Sequence, residues 1–244
     1  MKKTSDIALI GYPVSNYFNI VRAGLIEKQL EHTIIQRSAA QDEEFLAINP
    51  MGKIPVLRVG DDYISETTAI LEFLDDVSPK NSMRPAAPLT AARMRQIINI
   101  VQIYCETPAR TLYPGVFMGQ SWTNEQADAA KATIERAISA LAKLVSNKQF
   151  LIGDTLTQAD IFAYYNLLMV ERVWQSVFGA SVLDRLPLSN WLAHMDQRES
   201  TVIVMRDFEQ YLIDYLNDKG SDYRLEPRYI IETQEPNRAG ANHA

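Results

Sequence analysis

Three short segments near the start of the chain carry residue types that can hold a small peptide. The first, Asn49-Pro50-Met51-Gly52-Lys53-Ile54-Pro55-Val56-Leu57, leads from a cluster of helix breakers into a strand. The Ile54–Pro55 bond can be cis, and a cis proline exposes the N–H and C=O of the residue before it. Those two groups can pair with an extended peptide as an added strand would. The second, Ser65-Glu66-Thr67-Thr68-Ala69-Ile70, opens a stretch of helical spacing. A hydroxyl beside free N–H groups at a helix start forms a carboxylate site. The third is Ser15, which follows a short apolar run and precedes Asn16-Tyr17-Phe18-Asn19-Ile20-Val21-Arg22. Its hydroxyl can cap a helix or serve a ligand, with Tyr12 and Tyr17 as competing hydroxyls and Asn16 as a further polar side chain.

The elements that position these residues follow from hydrophobic period. Ile7 to Ile10 reads as a buried strand ending at Gly11, and Thr33 to Gln36 as a second strand after an intervening helix. That βαβ unit requires a parallel pair. A short helix (Glu43 to Ile48) follows. Val56 to Val59 and Tyr63 to Ser65 then flank Gly60-Asp61-Asp62, a hairpin turn signal, before helical spacing returns over Thr67 to Val77. The segment 78–90, rich in Pro, Ser and Asn, reads as a linker. Helical patterns occupy 90–112, 124–147, 157–178, 187–198 and 201–217, with breaks at Pro114-Gly115, Gly153-Asp154 and Pro187. Thr157 and Asp160 have the spacing of a capping box. The polar stretch from Lys219 reads as a surface tail.

Composition excludes several classes. The chain has 244 residues, 47% of them hydrophobic, and a net charge of −6, so a nucleic-acid backbone is an unfavourable partner. One cysteine, Cys105, leaves no disulfide framework or CxxC pair, and inside a helical stretch it reads as a small buried hydrophobe. Three scattered histidines predict no metal site. No signal peptide is legible, and no apolar run approaches the roughly 18 residues of a membrane span, so the cytoplasm is the expected location.

The three segments together resemble the cytosolic glutathione transferases. Asn49 to Leu57 is similar to the family's N-P-x-G-K-[IV]-P-x-L stretch. Glu66-Thr67-Thr68-Ala69-Ile70 resembles its [EQ]-S-x-A-I, with Thr67 for the usual serine. Gly153-Asp154-Thr155-Leu156-Thr157-Gln158-Ala159-Asp160 resembles its G-x-x-x-[ST]-x-A-D. The resemblance covers about Asp6 to Leu216 and implies a thioredoxin-like α/β domain over 1–78, a linker over 79–90, an all-helical domain over 91–218 and a tail over 219–244. It implies glutathione as co-substrate, held by Lys53, Ile54, Pro55, Glu66 and Thr67, and a homodimer.

The loop at Ser15 resembles the Ser-type (theta- and zeta-like) classes, where a serine hydroxyl donates to the glutathione sulfur. Tyr12 is the alternative donor. A free thiol titrates near about 8.5. One hydroxyl and a helix N-terminus can lower that by roughly 1–2 units, about 1.4–2.7 kcal/mol. The acceptor pocket of this fold lies between the domains, with Tyr12, Tyr104, Tyr113 and Phe117 as lining residues and Trp122 and Tyr164 as further aromatics. Three activities fit: a glutathione transferase acting on a small hydrophobic electrophile, a zeta-type (maleylacetoacetate isomerase-like) isomerase, and a non-catalytic binding relative. The zeta-like members carry Ser-Ser-Cys where this chain reads Ser15-Asn16-Tyr17. Asp160 is expected to serve the fold rather than binding.

Overall fold

The computed structural model describes residues 6–229. Strands β1 (Ile7–Gly11), β2 (Thr33–Gln36), β3 (Val56–Val59) and β4 (Asp62–Ser65) form one sheet in the order β2-β1-β3-β4. β1 runs parallel to β2 and antiparallel to β3, with Leu9 opposite both Ile34 and Leu57. The crossover between β1 and β2 is helix α1 (Asn16–Glu27); α2 (Glu43–Ile48) and α3 (Thr67–Val77) complete a thioredoxin-like domain. β1 is apolar throughout because it is central and covered, and all five of its residues are buried. The edge strand β2 is exposed along its length.

The remaining elements are helical: α4 (Pro88–Asn99), a π-helical stretch (Ile100–Glu106), α5 (Thr107–Arg110), α6 (Tyr113–Phe117), α7 (Asn124–Leu141), α8 (Gln158–Phe178), α9 (Ser189–Asp196) and α10 (Glu199–Lys219), with one short 3-10 turn at Leu183–Arg185. Two sequence expectations shift. α4 starts at Pro88, inside the expected linker, because proline suits the first turn, where its missing N–H is not needed. For the same reason Pro114 lies in the first turn of α6 rather than in a break. The π stretch was not foreseen. Pro108 clashes with the carbonyl of Tyr104 in a regular helix, and widening the preceding turns relieves that clash.

One core runs through both halves, and α1 lies at its centre. It packs against α3 on one side and against α8 and α10 on the other. From Asn16 to Leu25 only Tyr17 is not buried. Phe18, Ile20, Val21 and Leu25 are wholly covered, each contributing about 1.5–3 kcal/mol. Gly24 permits the close crossing: a Cβ there would stand 2.8 Å from Leu71 Cδ2.

Polar ties gather at the C-terminal end of α1 and reach across the seam. Glu27 pairs with Arg198 at 2.6 Å. Lys28 Nζ reaches Asp75 Oδ1 at 2.7 Å, with neither side chain exposed. Asp75 also accepts from the Met83 N–H (2.8 Å) and from Gln158 Nε2 (2.7 Å), so the segment after α3 is pinned to α8. Lys28→Met would leave the Asp75 carboxylate buried without its counter-charge. The expected cost is about 3–5 kcal/mol, read from urea unfolding, and a loss under about 1 kcal/mol would contradict it.

The chain after α10 is tied down as far as it is described. Ser221 Oγ donates to the Val116 carbonyl (3.0 Å), and the Arg228 and Tyr229 N–H groups donate to the Glu209 carboxylate (2.9 and 2.8 Å). The rest of the expected tail lies outside the described residues.

Candidate functional site

A cavity of about 460 Å³ opens between the sheet domain and the helices. Ser15, Lys53, Ile54, Pro55, Glu66 and Thr67 line one part of it, and Tyr113 and Phe117 line another. The segments far apart in sequence therefore share one cleft. Tyr12 does not line it: its ring packs edge-on against Tyr211 at 5.4 Å. Tyr104 does not line it either, being half exposed on the outer side of the π stretch. Tyr164 is fully buried and hydrogen-bonded to Asp196, and Trp122 packs over Gly115.

Each wall has a local cause. The Ile54–Pro55 bond is cis. Ahead of it Gly52 takes φ +62°, where a Cβ would strike the Ala40 carbonyl. Asn49 braces the turn by donating from Nδ2 to the Lys53 carbonyl (2.5 Å) and accepting the Met51 N–H at Oδ1 (3.1 Å). Among the described residues, the Ile54 N–H and C=O have no protein partner. Glu66 precedes α3 at φ +68°, a region that costs a non-glycine residue about 1–3 kcal/mol, and its side chain does not cap the helix. The first N–H groups of α3 are thus left for another acceptor, beside the buried Thr67 hydroxyl.

Ser15 is the N-cap of α1. Its Oγ accepts the Phe18 N–H at 3.3 Å, which leaves its own proton to donate. The neighbouring hydroxyls are engaged. Tyr17 donates to Glu106 Oε2 (2.7 Å) and Tyr113 to Glu106 Oε1 (3.3 Å). Burial, then the Glu106 charge, pushes both phenols well above their ordinary value, so neither ionises near neutral pH. Asn16 Nδ2 donates to Asn166 Oδ1 (2.5 Å) and to Glu106 Oε1 (3.3 Å). Arg110 pairs with Glu106 and donates from Nη2 to Asn16 Oδ1 at 2.9 Å. Burial opposes the Arg110 charge, but Tyr113 and Glu106 hold its guanidinium above its ordinary value.

Asn16, named from sequence as a further polar side chain, belongs to this region together with Glu106, Asn166 and Gln102, which were not singled out. A glutamate inside a helical pattern reads as a solvated charge, yet Glu106 is 1% exposed. Its one cue in the sequence was its place two residues before Pro108 in an apolar helical stretch. Cys105 is fully buried, and burial pushes its thiol up to about 12, so it is inert as a nucleophile. Among the described residues no group of three or more His, Cys, Asp and Glu could hold a metal ion, and no helix is long and apolar enough to cross a membrane.

A thioredoxin-like sheet domain and a helical bundle sharing a cleft define the class of protein. The sequence matches the description "Glutathione S-transferase, N-terminal domain" over residues 9–82 and "Glutathione S-transferase, C-terminal domain" over 93–198, and the chain belongs to that family. It is 28% identical over 204 residues to a glutathione S-transferase of Pseudomonas putida, covering 83% of this chain and 93% of that one. It is 25% identical over 150 residues to a maleylacetoacetate isomerase of Dictyostelium discoideum, covering 58% and 68%. The solved structure of a glutathione S-transferase from Rhodospirillum rubrum F11 superposes with a TM-score of 0.68 at 25% identity, over 82% of this chain and 91% of that one.

Proposed function

We propose that the protein conjugates glutathione to a small hydrophobic electrophile. The observation that carries this reading is the Ser15 hydroxyl, whose proton is uncommitted, in one cleft with the unpaired Ile54 backbone and the uncapped start of α3. The γ-glutamyl carboxylate accepts from the Thr67 hydroxyl and the α3 N–H groups, and Glu66 faces the amino group. The cysteinyl backbone pairs with Ile54, and Lys53 offers a cation to a carboxylate of the tripeptide. The thiol loses its proton to water, and Ser15 donates a hydrogen bond to the sulfur anion. The thiolate then attacks the electrophilic carbon, and the leaving group departs with the bonding pair. Holding both reactants in one cavity makes the attack effectively unimolecular. Calorimetric titration with glutathione tests the reading: no binding would sink it.

The isomerase reading is favoured by the likeness to the Dictyostelium discoideum protein. It is weakened where zeta-like members carry Ser-Ser-Cys, because Asn16 and Tyr17 stand there instead, both committed to Glu106. The transferase reading includes a homodimer. Met51, Tyr63, Leu89, Ile103 and Tyr104 expose large apolar surface that a second copy would cover. Light scattering should give twice the 27.6 kDa chain mass, and a monomer at micromolar concentration would overturn it.

A further inference from the structure

The glutathione-binding residues occupy only part of the cleft. The rest is walled by Tyr17, Tyr113, Phe117, Met169, Leu212 and Tyr215, with one cation among them, Arg110. Its guanidinium carbon lies 5.3 Å from the centre of the Tyr17 ring and 5.0 Å from that of Tyr113, so two aromatic faces hold the group. Nη2 is tied to Asn16 and Glu106. No described residue accepts from Nε or Nη1, although the side chain is 46% exposed.

The counter-charge does not share the cavity wall. Glu106 lies behind Arg110, and its two oxygens already take donors from Asn16, Tyr17, Tyr113 and Arg110. A molecule in the cleft therefore meets the cation and its free donors, while the anion is covered and hydrogen-bonded at both oxygens. Among the described residues, the only carboxylate lining the cleft is Glu66, which stands with the α3 start rather than with the aromatic wall.

We propose that Arg110 is a specificity-determining residue that selects electrophiles carrying a carboxylate. The acceptor's apolar body packs among the aromatic and methionine side chains, and its carboxylate takes the free Arg110 donors. The cluster gains no unpaired buried charge, since the guanidinium is already fixed and partly desolvated before binding. This inference rests on the transferase reading, because it takes the aromatic part of the cleft as the acceptor site.

The test uses two glutathione conjugates that differ in one group, S-(4-carboxybenzyl)glutathione and S-(4-carbamoylbenzyl)glutathione, with glutathione alone titrated in parallel. The wild type should bind the carboxylate about tenfold more tightly than the amide, about 1.4 kcal/mol. Arg110→Gln should erase that preference. The double variant Arg110→Gln/Glu106→Gln should do the same without leaving a buried carboxylate unpaired, so a poorly folded single variant does not spare the idea. Equal affinity for the two conjugates in the wild type, or a preference that survives in either variant, overturns the assignment. If glutathione binds while the preference is absent, the Arg110 proposal alone fails. If glutathione does not bind, the transferase reading falls and takes the Arg110 proposal with it.

Discussion

Ser15→Ala is expected to bind glutathione yet fail to ionise it. The thiol of bound glutathione should titrate roughly 1–2 units higher in the variant than in the wild type, moving back toward about 8.5. At neutral pH kcat/KM should fall on the order of tenfold, because a thiol value returned to about 8.5 cuts the thiolate fraction by roughly that factor. The direction with pH follows from the charge on sulfur. Where the site lowers the thiol value, thiolate is present at lower pH, so the variant's activity profile moves to higher pH. The two proteins should converge above the free thiol value, where ionisation needs no help. Ser15 also caps α1, so the alanine variant should lose about 1 kcal/mol of stability. Ser15→Thr separates the two roles, since it keeps both cap and donor and should restore most of the activity. An unchanged titration of the bound thiol in Ser15→Ala would move the role to a backbone amide. Tyr17 and Tyr113 could not take it over, because their protons are held by Glu106.

Asp160→Ala should damage the fold far more than the site. The carboxylate is fully buried at the start of α8 and accepts four hydrogen bonds. Oδ1 takes the Leu151 N–H (2.7 Å) and Trp191 Nε1 (3.0 Å); Oδ2 takes the Thr157 N–H (2.8 Å) and the Thr157 hydroxyl (2.7 Å). One side chain thus joins the loop before α8, the helix itself and α9. Alanine strands these donors in a dry environment, each at about 1–3 kcal/mol, for a total of at least about 4 kcal/mol. Against the roughly 5–15 kcal/mol that holds an ordinary domain, that leaves little or nothing at 37 °C. Soluble yield and the urea midpoint would register it. A variant that folds with wild-type stability but has lost activity would refute the structural assignment.

The legible parts of the sequence were those whose cause is local. Asn49, Gly52 and Pro55 act on one another within a few residues, so the loop that presents Ile54 could be read from the string. The same holds for α3, announced by Thr67 and Thr68 before an apolar period, and for the Thr157–Asp160 spacing. The sheet also followed, because short apolar and β-branched runs separated by a hairpin turn and a helical stretch leave few arrangements. The Glu106 cluster was not legible. Asn16, Glu106 and Asn166 each look unremarkable alone, and only the fold brings the three together. The aromatic wall failed in part for a related reason. Tyr104 and Tyr113 look alike in sequence, but the wider π turns leave Tyr104 on the outer face while Tyr113 faces the cleft.

The burial of α1 on all sides bears on how such a protein can be taken apart. Its two halves look separable along the chain, yet the helix that carries Ser15 belongs equally to both. Through Asn16, Glu27 and Lys28 it depends on Asn166, Arg198 and the Asp75–Gln158 link. An isolated sheet domain would expose the Phe18 and Leu25 surroundings, leave Glu27 without Arg198, and take Asn166 from Asn16 and Gln158 from Asp75. A hybrid carrying a relative's helical half would need matching residues at each of these contacts before it could acquire that relative's substrate range.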